Sequence, residues 1–155
     1  MLITDLALSI QESLNSTPES WDLELGLEAV VAIDWVAVLN QSGIKVILSP
    51  ELNQYNIEAS PGRGGRKINI NVTKYVHLII GKNFESLADT NDIAPWDELK
   101  QLLDIRELIE LFMIRNQPLG VQLTSVEAQP VDEQQLDYRN FNTITSFGYE
   151  ASECG

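Results

Sequence analysis

The longest regular alternation of apolar and polar positions in the chain begins after Lys67. Ile68, Ile70, Val72, Val76, Leu78 and Ile80 share one parity, and Asn69, Asn71, Thr73, Tyr75 and His77 share the other. Strand side chains point to alternate faces, so this spacing predicts a long half-buried β-strand. Near the start, Ile3, Leu6, Ala7, Ile10 and Leu14 recur at helical spacing and predict an amphipathic helix, ended by Asn15-Ser16-Thr17-Pro18. Leu27 to Leu39 is rich in β-branched residues and reads as a strand with a bend at Asp34-Trp35. A turn cluster, Asn40-Gln41-Ser42-Gly43, separates it from a short strand, Ile44 to Leu48, which closes at Ser49-Pro50. The two runs are expected to pair as a hairpin.

A helix from about Pro95 to Asn116 follows a polar connection. Leu99, Leu102, Leu103, Ile105, Ile109, Phe112 and Met113 form its apolar face, and Asp97, Lys100, Asp104 and Glu107 lie opposite. Leu108 and Leu111 fall toward the polar side, as scattered surface leucines. Leu119 to Glu127 alternates as another strand, and residues 130–136 read as a turn or short helical stretch. Phe141, Thr143, Thr145, Phe147 and Tyr149 line one face of a last strand, before a tail at about 151–155 that is expected to fray. Two main helices among strands with short connections predict an α+β fold. Its antiparallel or mixed sheet has about four to five strands, with both helices packed on one face. A length of 155 residues fits a single domain, 1–155.

Between the apolar runs lies Ser60-Pro61-Gly62-Arg63-Gly64-Gly65-Arg66, too rich in Gly and Pro to read as helix or strand. A flexible basic loop at about 56–67 is expected. Charge makes this loop stand out: the net formal charge is −13, yet residues 61–82 hold five of the ten basic side chains and no acidic one. Residues 1–60 carry nine acidic and one basic, and residues 83–155 carry fourteen and four. Binding to a phosphate backbone depends on Lys and Arg, so an acidic body disfavours duplex binding except at the loop. The candidate partner-binding residues are Arg63, Gly64, Gly65, Arg66 and Lys67.

Signs of chemistry are few. His77 is the single histidine, on the polar parity of its strand and with no evident partner, and no catalytic, phosphate-loop or metal-ligand spacing occurs. Gly62-Arg63-Gly64-Gly65 resembles an anion nest only weakly, because it opens a strand instead of a helix. Neither an enzyme activity nor a cofactor or metal is expected. Cys154 is the lone cysteine, which excludes an intramolecular disulfide. The chain lacks the start of a signal peptide and an apolar run long enough to span a bilayer, so no membrane association is expected and the sequons at Asn15 and Asn71 read as chance.

The order of these features resembles the tail terminator and related neck proteins of long-tailed bacteriophages. The likeness rests on the N-terminal amphipathic helix, the short strand from Val46 to Pro50, the arginine-bearing loop and the alternating strand from Ile68 to Ile80. It extends to the helix from Pro95 to Asn116, the segment Pro130 to Leu136 and the aromatic strand Phe141 to Tyr149. The resemblance implies a structural virion protein, present in the host cytoplasm during assembly. Its ring, a homohexamer, joins the tail tube to the head connector and lets genomic DNA pass without specific binding. An acidic lumen would repel DNA phosphates, and Arg63, Arg66 and Lys67 would reach an acidic neighbour. Two other classes compete: a monomeric acidic decoy or immunity-type protein that occupies a basic partner, and a non-enzymatic ligand-binding domain.

Overall fold

The computed structural model describes residues 2–23, 25–39, 41, 43–51, 54–62, 65–83, 96–129 and 140–154. The first amphipathic segment forms α1 (Ile3–Ser16), and Leu6, Ala7, Ile10 and Leu14 are its buried residues. Pro18 then opens a single 3₁₀ turn, Pro18–Ser20, as suits a residue without an N–H. Trp21 follows directly; it is fully buried, and its indole Nε1 donates to the Leu14 carbonyl at 2.9 Å. The same carbonyl also accepts from the Thr17 N–H at 3.2 Å, so two donors meet the last turn of α1.

The apolar run from Leu27 to Leu39 divides into β1 (Ala29–Val31) and a short helix, α2 (Trp35–Leu39). This corrects the expectation of one bent strand. It also corrects the expected hairpin, because β1 runs parallel to β2 (Ile44–Pro50), with Ala29 opposite Val46. A parallel pair needs a crossover, and α2 supplies it. Asn15 fastens the edge of β1: its amide donates to the Ala29 carbonyl at 3.0 Å and accepts from the Ala29 N–H at 2.8 Å. The side chain thus replaces a missing strand partner at that residue.

The Gly- and Pro-rich segment is the largest departure from expectation. Residues 54–62 form β3 (Gln54–Gly62), and β4 (Gly65–Asn83) begins three residues after β3 ends. The two strands pair antiparallel from Gln54 opposite Thr73 to Gly62 opposite Gly65. A β-hairpin therefore stands where a loop at 56–67 was expected. Pro61 is tolerated because it lies near the end of an edge strand, and Gly65, at φ +141°, takes a backbone conformation suited to glycine. Arg63 and Gly64 lie outside the described residues. The expected tail is likewise strand: β6 (Asn140–Cys154) pairs with β4 as far as Asn69 opposite Cys154.

After α3 (Trp96–Arg115), β5 (Gln122–Ala128) lies against the outer side of β6. The sheet is mixed, with five strands abreast in the order β1-β2-β4-β6-β5, and β3 extends the β2 edge along the far half of β4. The architecture is α+β. On one face, Val46, Leu48, Val76, Leu78, Ile80, Phe147 and Tyr149 pack beneath α1 and α3, which contribute Leu6, Ile10, Leu14, Leu102, Ile105, Ile109 and Met113. On the other, Ile47 and Ile79 pack with Leu39 of α2 and the half-buried Trp35, Val38 and Ile144. Both faces of the sheet centre are thus dry, which explains why Leu78-Ile79-Ile80 is apolar at three consecutive positions.

Candidate assembly surface

β2 and β3 in turn pair with the same strand, β4, along almost its whole length. The register between them shifts by one residue between Pro50/Val76 and Gln54/Thr73. Before it, the Glu51 N–H donates to the Tyr75 carbonyl at 3.0 Å, still in the β2 register. Beyond it, β3 and the far half of β4 make a two-stranded arm, with the end of β6 against the other edge of β4.

Paired residues in an antiparallel ladder project on the same face. Tyr55 is opposite Val72, Ile57 opposite Ile70 and Ala59 opposite Ile68. Their parity along β4 is that of Val76, Leu78 and Ile80, so the core-facing side of the sheet continues outward as an apolar ladder. Helical cover does not keep pace with it. Val72 is still buried, but Ile68 is 41 % exposed, Tyr55 63 % and Ile57 64 %. Lys74, at the root of the arm, is itself buried on this face, opposite Tyr149.

Of the five residues expected to dock a partner, Gly65 pairs with Gly62, Arg66 with Pro61 and Lys67 with Ser60, all in the outermost rungs of the arm. They lie beside its apolar ladder, in an ordered hairpin. Sequence reasoning missed Tyr55 and Ile57. The signal was present, since Tyr55, Ile57 and Ala59 alternate at i, i+2 and i+4, but the following Gly and Pro residues masked it.

A second apolar surface lies where the 3₁₀ turn meets α3. One hollow of about 350 Å³ is lined by Thr17, Leu108, Leu111, Phe112 and Arg115, among others. An adjoining one of about 400 Å³ is lined by Trp21, Leu23 and Leu108. Glu19, Ser20 and Leu108 belong to both, so the two form one trough. Leu108 and Leu111, read as scattered surface leucines, form its wall. Leu23 is held at φ +53°, a left-handed conformation that disfavours a bulky side chain, and is 45 % exposed.

His77 lies on the opposite face of the sheet and has two partners, contrary to expectation. Its Nδ1 is 2.8 Å from Ser146 Oγ, and its Nε2 is 2.7 Å from Glu51 Oε2. Serine, histidine and carboxylate in line have the composition of a nucleophilic triad. Ser146, however, sits mid-strand with His77 on one side and Glu127 on the other. Its neighbouring backbone amides are committed to ladders and cannot be gathered into an oxyanion hole. The array instead ties Glu51, just past the end of β2, to β4 and β6.

Among the described residues no group of three or more His, Cys, Asp or Glu side chains is placed to hold a metal ion. No described helix is long and apolar enough to cross a membrane. The sequence matches no protein-family model and no curated protein.

Proposed function

We propose that this chain is a structural subunit of the neck of a long-tailed bacteriophage, of the tail-terminator type. It assembles into a ring, a homohexamer on the resemblance, that joins the tail tube to the head connector and passes the genome through its lumen. The observation that carries this reading is the apolar ladder of the arm, which lies on the core-facing side of the sheet past the buried Lys74 and is exposed at Tyr55, Ile57 and Ile68. An open apolar face on an ordered hairpin is suited to burial against another subunit. The order of elements supports the same reading, because the helix, short strand, long strand, helix and closing strand follow one another as the resemblance implies, with a hairpin in place of its arginine-bearing loop.

Charge supplies the second support. Twenty-three acidic residues against ten basic ones give a surface that repels DNA phosphates and so lets a duplex slide. The basic residues at the arm tip oppose that trend and suit an acidic protein neighbour.

The test is the mass of the native particle by light scattering after size exclusion, with negative-stain images of the same fraction. A six-fold ring with an open lumen is expected, together with capture by isolated tail tubes. Replacing Arg63, Arg66 and Lys67 with Glu is expected to abolish that capture while leaving the thermal transition unchanged. A chain that stays monomeric and ignores tail tubes would overturn the proposal and favour an acidic decoy.

A further inference from the structure

We infer that the apolar ladder of the arm seats in the trough between the 3₁₀ turn and α3 of a second copy of this chain. The inference rests on the ring reading above and names the two surfaces that meet. Tyr55, Ile57 and Ile68 are large apolar side chains, exposed on one face of an ordered hairpin. The trough offers Leu23, Leu108, Leu111 and Phe112, and its two hollows together have room for several such side chains. Burying them removes apolar area from water at both surfaces.

Charge selects a second copy as the occupant. The arm, residues 54–73, holds three basic residues and one acidic, whereas the rest of the chain holds twenty-two acidic and seven basic. An arm approaching another copy is therefore drawn to its body, while two bodies repel one another. Arm and trough are different surfaces, so the contact is head-to-tail. Repeated, it closes into a ring when the rotation between copies divides a full turn.

The backbone at Leu23 adds an independent sign. A bulky residue in the left-handed region is strained, and such strain concentrates at binding surfaces. Leu23 lines the trough and gains little burial in the free subunit. Contact with the arm would give that side chain a role.

Three variants and a cross-link test the contact. Ile57→Asp changes the arm, Leu111→Asp changes the trough, and both side chains are exposed in the single chain, so folding is expected to survive. Leu23→Gly removes a trough side chain while relieving its backbone, so its thermal stability is expected to hold or rise. Each is expected to weaken self-association by about tenfold or more, read by light scattering across a dilution series. In a Cys154→Ser background, Ile57→Cys and Leu111→Cys chains are mixed and oxidised. A disulfide-linked pair is expected from the mixture and from neither chain alone.

Rings that form normally from all three variants, without the cross-link, would overturn this contact and leave the neck reading standing. A closed two-copy particle that shows the cross-link and is dissolved by the variants would uphold the contact and remove the ring. A chain that is monomeric at every concentration would overturn the contact, and tail-tube capture would then decide the neck reading by itself.

Discussion

The Nε2 atom of His77 lies 2.7 Å from Glu51, the residue that carries the β2 register one step past Pro50, its N–H donating to the Tyr75 carbonyl. The imidazole ties this end of the β2 ladder to β6, with its other nitrogen 2.8 Å from Ser146. Glu51→Ala is expected to cost less than about 1 kcal/mol, because the pair is partly exposed and screened by solvent. Its effect on the arm should be larger than its effect on the fold. Amide hydrogen exchange is expected to speed up at Glu51 and along β3 while the centre of β6 is unchanged; uniform acceleration would refute this local role.

Asn15 contributes a donor and an acceptor to the backbone of Ala29. Asn15→Leu keeps a side chain of similar size and leaves the Ala29 N–H without that partner, while the Ala29 carbonyl still accepts from the Gln11 amide at 3.1 Å. The expected loss is about 1–3 kcal/mol, measured by urea unfolding. Asn15→Ala should cost a similar amount, and a loss below about 0.5 kcal/mol in both would mean that water replaces the amide at no cost.

Tyr149 is fully buried, and among the described residues its hydroxyl has no hydrogen-bond partner; burial pushes the phenol well above its ordinary pKa. Removing an unsatisfied buried hydroxyl relieves its desolvation without opening a large cavity. Tyr149→Phe is therefore expected to leave stability unchanged or raise it by up to about 1 kcal/mol. A decrease of more than about 1 kcal/mol in chemical denaturation would show that the hydroxyl has a partner in solution.

Glu110, on α3, has its carboxyl raised above the ordinary value of 4.5. Desolvation outweighs the lowering influence of Arg106, whose Nε is 3.3 Å away, and of the Thr145 hydroxyl. The native state then binds the Glu110 proton more readily than the unfolded chain does. Its contribution to stability falls as pH rises from about 4.5 through the raised native value, and stays low above it. Glu110→Gln keeps an oxygen near Arg106 and removes the charge, so it is expected to be more stable than the parent at pH 7 and to lose that part of the pH slope. Thermal unfolding at several pH values between 4 and 7 tests this, and a less stable variant at pH 7 would mean that the ion pair outweighs desolvation.

Much of the frame was legible because it depends on local periodicity. The face of α1 was correct at each of its four buried positions, and Leu102, Ile105, Ile109 and Met113 of α3 are buried as their spacing required. The alternation from Ile68 to Ile80 does form strand, and both main helices do cover one face. Where non-local partners decided the outcome, the reading failed. Ala29–Val31 pairs parallel because α2 packs Trp35 and Leu39 against the far face of the sheet, a choice that a β-branched run does not encode. The candidate surface was half visible: the basic tip is plain in the sequence, but the apolar ladder beside it and the trough lined by Leu23 and Leu111 are not.

By itself, the sequence determined which residues could face a core, through periods of two and of about three and a half, and where positive charge would gather. Tertiary structure decided that a Gly- and Pro-rich segment becomes an arm, because strand formation at Gln54–Gly62 draws on hydrogen bonds and side-chain pairs supplied by β4. It also decided that the arm outruns the helices, since the length of a strand and the area its cover can reach are set by different parts of the chain.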